Sequence, residues 1–395
     1  MENATACQEE TSGAGGAALG RSGLAVCLLV ILPGLLAGGV ALAEGPPDEH
    51  RRSGHDATPG EGFARRFDLH GFSDVSFSAE RTSPPGGGSS SGSRFALGQL
   101  DLYMVSRLSS QILFLGETVF ELDASGESVV DVERLFIKYS ISDHFAVAAG
   151  RTHTALGYWN ESFHHGSLLQ PSVERPEALK FEDDGGILPV HSVGLEFSGE
   201  FAGSSWSTGY VANVANGRGL TREQVQANAD ADDSKALALK LSFERRGKGD
   251  LVFGPTVYAD TIPPGPDPLA PAHDRIKERI FGGFFAYRLP SLRILAEAYA
   301  VGHEDTGAGT TFDHRAGYAI VVWSAHRFQP YLGADILEFE AGDPFFAPGD
   351  VDLRRYLGGV LFDVNPFNAL KFEYRNEDRE GDKTHVLAIQ TAFTF

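Results

Sequence analysis

Apolar and polar residues alternate strictly in many short segments between Phe67 and the C-terminus. In segment 236–244 the apolar residues occupy every second position: Leu237, Leu239, Leu241 and Phe243. Segments 192–198 and 369–375 repeat the pattern. Because successive side chains of a β-strand point to opposite faces, a period of two predicts strands with one apolar and one polar face. The chain is therefore predicted to be all-β.

The connections between these segments alternate in length. The short turns are predicted at 106–110, 140–143, 203–204, 245–249, 289–291, 324–327 and 365–368. The longer connections are 81–94, 123–127, 157–190, 214–235, 260–277, 303–311, 340–351 and 376–382. A soluble sandwich has no reason to separate short turns from long loops, whereas barrels of the bacterial outer membrane do.

The number of predicted strands is about sixteen, an even count that brings both ends of the barrel to the same side of a membrane. The predicted fold is a transmembrane, antiparallel, up-and-down β-barrel with long extracellular loops and short periplasmic turns. Pro255 and Pro330 fall inside two of the strands, where each removes a hydrogen-bond donor from the ladder. The boundaries of those two strands, near 251–258 and 328–339, are therefore left open.

The composition excludes other classes of protein. Hydrophobic residues make up 42% of the 395 residues, and only segment 24–43 is apolar enough to cross a bilayer as a helix. The chain has 33 Lys and Arg against 53 Asp and Glu, which gives a net charge of −20. A chain this acidic, without a basic patch, is not expected to bind nucleic acid.

The N-terminal region is typical of a secretory signal peptide. Arg21 precedes an apolar run, and Ala41-Leu42-Ala43 precedes Glu44 as a small-residue cleavage site. We expect residues 1–43 to be removed, 44–64 to form a flexible periplasmic tail and 65–395 to form the barrel; an uncleaved anchor is the alternative. The two cysteines, Cys7 and Cys27, lie in the segment expected to be removed, which excludes cysteine chemistry in the mature chain.

The C-terminal strand carries a row of apolar residues on one face and ends in an aromatic residue. The positions concerned are Leu387, Ile389, Phe393 and Phe395. This ending resembles the assembly signal of bacterial outer-membrane proteins. The resemblance implies the bacterial outer membrane as the location. Its implied partners are the barrel assembly machinery, outer-membrane lipid and lipopolysaccharide.

Segments 132–139 and 150–159 give a further resemblance. They read VERLFIKY and GRTHTALGYW, and are similar to sequences of the large bacterial porin superfamily. The acidic loop-three motif of the general trimeric porins is not intact here, which makes the relationship a distant one. The resemblance implies a channel for passive diffusion of small polar solutes or ions. It implies no enzymatic activity and no cofactor, and a homotrimer is one open alternative for the oligomeric state.

In porins the third long loop folds into the lumen and narrows it, so we expect loop 157–190 to do so here. The predicted constriction combines loop carboxylates with basic wall residues: Glu161, Glu174, Glu182, Asp183, Asp184, Arg134, Lys138 and Arg151. Charges opposed across a pore select polar solutes by size and charge. The residues predicted to line the rest of the lumen are Glu117, Glu121, Glu196, Lys240, Glu297, Lys371, Glu373 and Arg375.

The sequence is also compatible with three other interpretations. The barrel can be a plugged or structural scaffold that presents acidic loops, and loop 157–190 can be an ordinary solvated loop. A hydrolase at the barrel rim is the third, although no spacing singles out a nucleophile with its base. His153, His164, His165 and His191 show no metal-ligand spacing, and the acids at 182–184 are more typical of an exposed run than of a calcium site. No metal is predicted.

Overall fold

A computed structural model describes residues 67–122, 126, 128–163, 166–181, 185–221, 232–247, 249–265, 273–346 and 351–395. The predicted signal peptide (1–43) and periplasmic tail (44–64) lie outside the described residues. None of the helices in the described part of the chain has the length and apolar character needed to cross a bilayer.

Sixteen strands form one closed antiparallel barrel in which each strand pairs with its neighbours in sequence and β1 pairs with β16. The strands are β1 (Asp68–Ser83), β2 (Ser90–Arg107), β3 (Ile112–Leu122), β4 (Ser128–Ser142), β5 (Phe145–His153), β6 (His191–Ala202), β7 (Trp206–Ala215), β8 (Ala236–Arg245), β9 (Asp250–Ile262), β10 (Ile276–Leu289), β11 (Leu292–Asp305), β12 (Thr310–Trp323), β13 (Phe328–Glu338), β14 (Leu353–Asn365), β15 (Asn368–Arg379) and β16 (Asp382–Thr394). The predicted fold class and the count of sixteen are confirmed.

The two faces of the strands differ as the alternation predicts. On β8, Leu237 is 54% exposed whereas Lys240 is 6% exposed. Leu332 on β13 and Leu387 on β16 are likewise exposed on the outer surface. The large apolar side chains form an exposed belt on the outside of the closed barrel, where they can contact the hydrocarbon of a membrane. The polar side chains point into the barrel. This arrangement is that of a membrane-spanning β-barrel.

The eight outer connections join odd to even strands and include the longest ones. We name three of them: L3 is 154–190, L4 is 216–235 and L7 is 339–352. Two predicted long connections are shorter than expected, because β11 and β12 leave only 306–309 between them, and β15 and β16 leave only 380–381. The polar residues at 376–379 continue the ladder with β16 instead of forming a loop. Glu380 and Gly381, with φ values of 51° and 98°, form the tight turn.

Pro255 and Pro330 lie inside β9 and β13, at points where the ladder is interrupted or ends; β9 is longer than predicted, and β13 ends one residue earlier than predicted. The pairing of β8 with β9 has a gap between Thr256 and Phe253, which brackets Pro255. The pairing of β12 with β13 stops at Tyr331, next to Pro330. The N–H group that each proline lacks is therefore missing at a position where its strand makes no ladder pair with the strand on one side.

The last residue closes the barrel. Gly71 and Phe395 exchange two backbone hydrogen bonds, of 2.9 and 3.0 Å, across the β1–β16 seam. A Cβ atom at Gly71 would lie 2.4 Å from the Phe395 ring, so glycine allows this close approach. Closure leaves no unpaired strand edge, as a hydrocarbon environment requires.

Candidate functional site

L3 leaves β5 and turns into the interior of the barrel at Gly157. This residue has a φ of +70°, and a Cβ atom there would lie 1.9 Å from Glu297 Oε2. A single helical turn, α1 (Trp159–Ser162), follows. The backbone N–H groups of Tyr158 and Trp159 donate to the Glu297 carboxylate at 3.2 and 2.7 Å. Because Glu297 is on the inner face of β11, six strands from β5, the loop crosses the interior.

Glu297 is held from both sides. The hydroxyl groups of Tyr299 and Tyr318 donate to it, the latter at 2.7 Å. Trp159 is fully buried and its ring packs edge-on against Tyr318. Glu297 lies on the inner wall as predicted for a lumen residue, but the loop covers it.

The middle of L3 is fixed to the wall three strands further along, by Arg355 of β14. Its Nη1 donates to Glu177 Oε1 at 2.6 Å, and its Nη2 donates to the Arg175 carbonyl oxygen at 2.8 Å. Its Nε donates to Asp335 of β13. Arg379 reaches the second oxygen of Glu177 at 3.2 Å. One guanidinium thus joins β13, β14 and the loop.

Strand β15 supplies three further anchors. Arg375 pairs with Glu174 at 2.5 Å. The buried Lys371 ammonium donates to the carbonyl oxygens of Ser167 and Ser172, the latter at 2.7 Å. Glu373 accepts the N–H of Val173 at 3.1 Å and the Tyr331 hydroxyl at 2.9 Å. These three predicted lumen residues therefore bind the loop directly.

The two anchoring carboxylates of L3 are charged at neutral pH. Burial raises the pKa of Glu177, but Arg355, Lys180 and Arg379 outweigh it and lower that pKa to about 2. Burial likewise raises the pKa of Glu174, and Arg375 and Lys180 more than compensate, so its pKa lies below the ordinary value. A buried ion pair needs both charges present.

The predicted basic wall residues pair with acids near them. Arg134 of β4 binds Glu117 of β3, and Lys138 donates to Ser198 Oγ at 2.9 Å with Glu196 at 3.8 Å. Among the other predicted site residues, Arg151 Nε donates to the Glu133 carbonyl oxygen at 2.9 Å, Lys240 pairs with Glu161, and Glu121 accepts from Gln99.

The predicted pairing of loop acids with the basic wall residues involves acids whose positions are not described, so it stays a prediction. Glu182, Asp183 and Asp184, predicted to face Arg134, Lys138 and Arg151, lie outside the described residues. The described loop acids pair elsewhere: Glu161 with β8, and Glu174 and Glu177 with β14 and β15. Arg355 could not be singled out from the amino-acid sequence, because Arg354 and Arg355 are adjacent and only the strand register shows which one points inward.

Two cavities flank the loop. One of about 750 Å³ lies toward the short turns, and its charged lining residues include Lys138, Asp143, Glu161, Glu200, Lys240 and Glu244. Another of about 330 Å³ separates L3 from β1 and β2, with Asp74, Gln99, Glu174, Arg175 and Lys180 among its lining residues. The lining of each cavity is polar and carries charges of both signs.

Comparison with solved structures gives close agreement in architecture. An anion-selective porin from Comamonas acidovorans superposes with a TM-score of 0.56 at 10% identity, over 83% of this chain and 99% of the other. This chain has the fold of the bacterial outer-membrane porins. The outer-membrane channel DcaP of Acinetobacter baumannii (TM-score 0.55, 11% identity, 83% and 97% covered) has the same porin fold.

A third porin-fold structure was solved as a trimer. It is the outer-membrane protein OmpT of Vibrio cholerae (TM-score 0.51, 13% identity, 83% and 99% covered). No protein-family model and no curated protein matches the sequence. The porin fold is thus recognised from structure.

Proposed function

We propose that the protein is an outer-membrane channel for passive diffusion of small polar solutes or ions, narrowed by L3. The observation that supports this proposal is the way L3 crosses the barrel. It is bound to Glu297 on β11 and to Arg355 on β14, while polar cavities remain beside it. A loop that leaves β5 and is fixed to β11 and β14 across the interior reduces the cross-section of the barrel without requiring any other domain.

The charges of the chain favour cations over anions. The net charge is −20, and the larger cavity combines Lys138 and Lys240 with Glu161, Glu200 and Glu244. An acidic vestibule raises the local concentration of cations. We therefore expect modest cation preference, with solute size set by L3.

A plugged barrel is the second candidate, and the burial of L3 favours it. Trp159 and Ile187 are fully buried, and buried polar groups of β11, β14 and β15 are used to hold the loop. In that case the protein is a surface scaffold, and solutes do not pass while L3 is in place.

Solute uptake distinguishes the two candidates. Folded protein in liposomes is tested with uncharged sugars of increasing size, beside a variant in which a short Gly-Ser linker replaces 161–184. The channel proposal expects uptake of the smallest sugars by the wild type and of larger ones by the variant. If the wild type admits none while the variant admits them, the barrel is plugged. If neither admits any, both the channel and the L3 constriction are contradicted.

Other assignments stand as proposals beside this one. We propose export through a signal peptide cleaved near Ala43, insertion by the barrel assembly machinery through the signal at Leu387, Ile389, Phe393 and Phe395, and contact with outer-membrane lipid and lipopolysaccharide. A homotrimer is compatible with the porin fold and is tested by crosslinking. We propose no enzymatic activity; lipid or peptide hydrolysis that His164→Ala abolishes would contradict this.

A further inference from the structure

Three side chains of metal-ligand type meet at the outer end of the barrel, away from the anchors of L3 on β14 and β15. They are His303 of β11, His314 of β12 and Asp343 of L7, and all three are buried. Their ligand atoms lie within 4.8 Å of one another. We propose that they form a binding site for a divalent transition-metal ion such as Zn²⁺.

The geometry brings both imidazoles to one oxygen. His303 Nδ1 and His314 Nε2 each lie 2.6 Å from Asp343 Oδ2. The other carboxylate oxygen, Oδ1, accepts the N–H groups of Phe345 and Phe346 at 2.8 and 3.3 Å, which fixes the orientation of the carboxylate. Both imidazole nitrogens therefore converge on a single carboxylate oxygen.

The donor set selects the class of ion. Two imidazole nitrogens and one carboxylate oxygen form a set that Zn²⁺ and its neighbours among the first-row transition metals accept. Ca²⁺ and Mg²⁺ require oxygen ligands in larger number. Three protein ligands leave a fourth position for water.

Residues around the three proposed ligands form hydrogen bonds that orient them, as is usual in metal sites. His303 Nε2 lies 3.1 Å from Glu278 Oε1, so this carboxylate can orient the ring with Nδ1 toward the metal. Glu278 is in turn bound by Arg218 of L4 at 2.9 Å, and Arg218 Nη2 donates to the Ile187 carbonyl oxygen of L3 at 2.5 Å. This chain of contacts connects the proposed site to L3.

Aromatic rings enclose the cluster. Phe346 stacks on His303 with ring centroids 4.8 Å apart and meets His314 edge-on at 5.0 Å. Phe345 and Phe339 pack around the same two histidines. An apolar shell keeps bulk water away and strengthens the attraction of a carboxylate for a cation.

One contact must change when the metal binds. The N–H of Glu340 donates to His314 Nδ1 at 3.2 Å. A ring that binds metal through Nε2 carries its proton on Nδ1, so it cannot accept this bond. Metal binding is therefore expected to release the Glu340 N–H and shift the start of L7.

The test uses the full chain without an affinity tag, folded in detergent and treated with a chelator. Co²⁺ is added as a spectroscopic probe, and Zn²⁺ binding is measured by calorimetry. We expect a ligand-field absorption band, one saturable site, and affinity lowered at least ~10-fold in His303→Ala, His314→Ala and Asp343→Asn. His385→Ala, a histidine on β16, is the matched control and should bind as the wild type does.

Folding is checked by heat-modifiable migration in gels, and Asp343→Asn preserves side-chain shape if a histidine variant fails to fold. The absence of a saturable site in the wild type overturns the proposal and leaves a hydrogen-bonded cluster. Equal affinities in the control and in the three cluster variants also overturn it, because other histidines would then bind the ion.

Discussion

Arg355 Nη1 lies 2.6 Å from Glu177 Oε1, and this contact ties the inner wall at β14 to the middle of L3. Both side chains are almost completely buried, and Asp335 binds the same guanidinium. Without the Arg355 guanidinium, the buried carboxylates of Glu177 and Asp335 would lose this partner. Removing one partner of a buried ion pair commonly lowers the free energy of unfolding by about 3–5 kcal/mol. Arg355 is therefore a major anchor of L3, beside those on β11 and β15.

Arg355→Gln is expected to release L3 and lower stability by an amount within that range. Limited proteolysis should then cut within L3 faster than in the wild type, and the unfolding midpoint in denaturant should fall. Arg354→Gln is the matched control, because Arg354 is the adjacent residue and is exposed on the outer surface. Equal effects of the two substitutions would show that the anchor contributes nothing specific.

Acid is expected to weaken the same anchor. The pKa of Glu177 is lowered from 4.5 to about 2, so its contribution is fully present above pH 4.5 and disappears as the pH falls toward 2. Proteolysis of L3 by an acid-active protease should accelerate across that window. In Glu177→Gln the loop should be cut rapidly at every pH, and a wild-type pattern in this variant would contradict the prediction.

Gly157→Ala tests the turn by which L3 enters the barrel. The substitution combines a left-handed backbone, which costs about 1–2 kcal/mol for a non-glycine residue, with a clash against Glu297 and Tyr299. Gly185→Ala is a control on the same loop, since Gly185 has a φ of +93° and a Cβ atom there meets nothing within 4 Å. We expect Gly157→Ala to lose more stability than Gly185→Ala. The reverse order would show that L3 does not enter the barrel through a close approach at Gly157.

Lys240→Gln is expected to increase cation preference. Lys240 lines the larger cavity and pairs with Glu161, so its loss leaves that carboxylate free to attract cations. The measurement is the reversal potential under a salt gradient. Lys277→Gln removes an equal charge from a half-exposed pair with Glu304 on the outer surface and should leave the potential unchanged. A shift of the same size in both would indicate a general charge effect.

The barrel could be predicted from the sequence because its signal is local. Alternation in segments such as 236–244, the spacing of turns and the aromatic C-terminus each report the environment of neighbouring residues. The pairing of Glu177 with Arg355 could not be predicted, because the two residues are 178 positions apart and meet only after the barrel closes. The same applies to His303 and Asp343, whose contact depends on how L7 folds over β11. Arg134 and Lys138 were recognised as inward charges, but their partners depend on strand register.

Single-channel conductance in planar bilayers tests the central claim, that L3 narrows an open barrel, most directly. The wild type should give discrete steps, and the Arg355→Gln/Arg375→Gln variant should give larger ones because two anchors of L3 are lost. Arg354→Gln should match the wild type. Steps of equal size in the wild type and the double variant would show that L3 does not set the width of the path, and a silent wild type would contradict the channel itself.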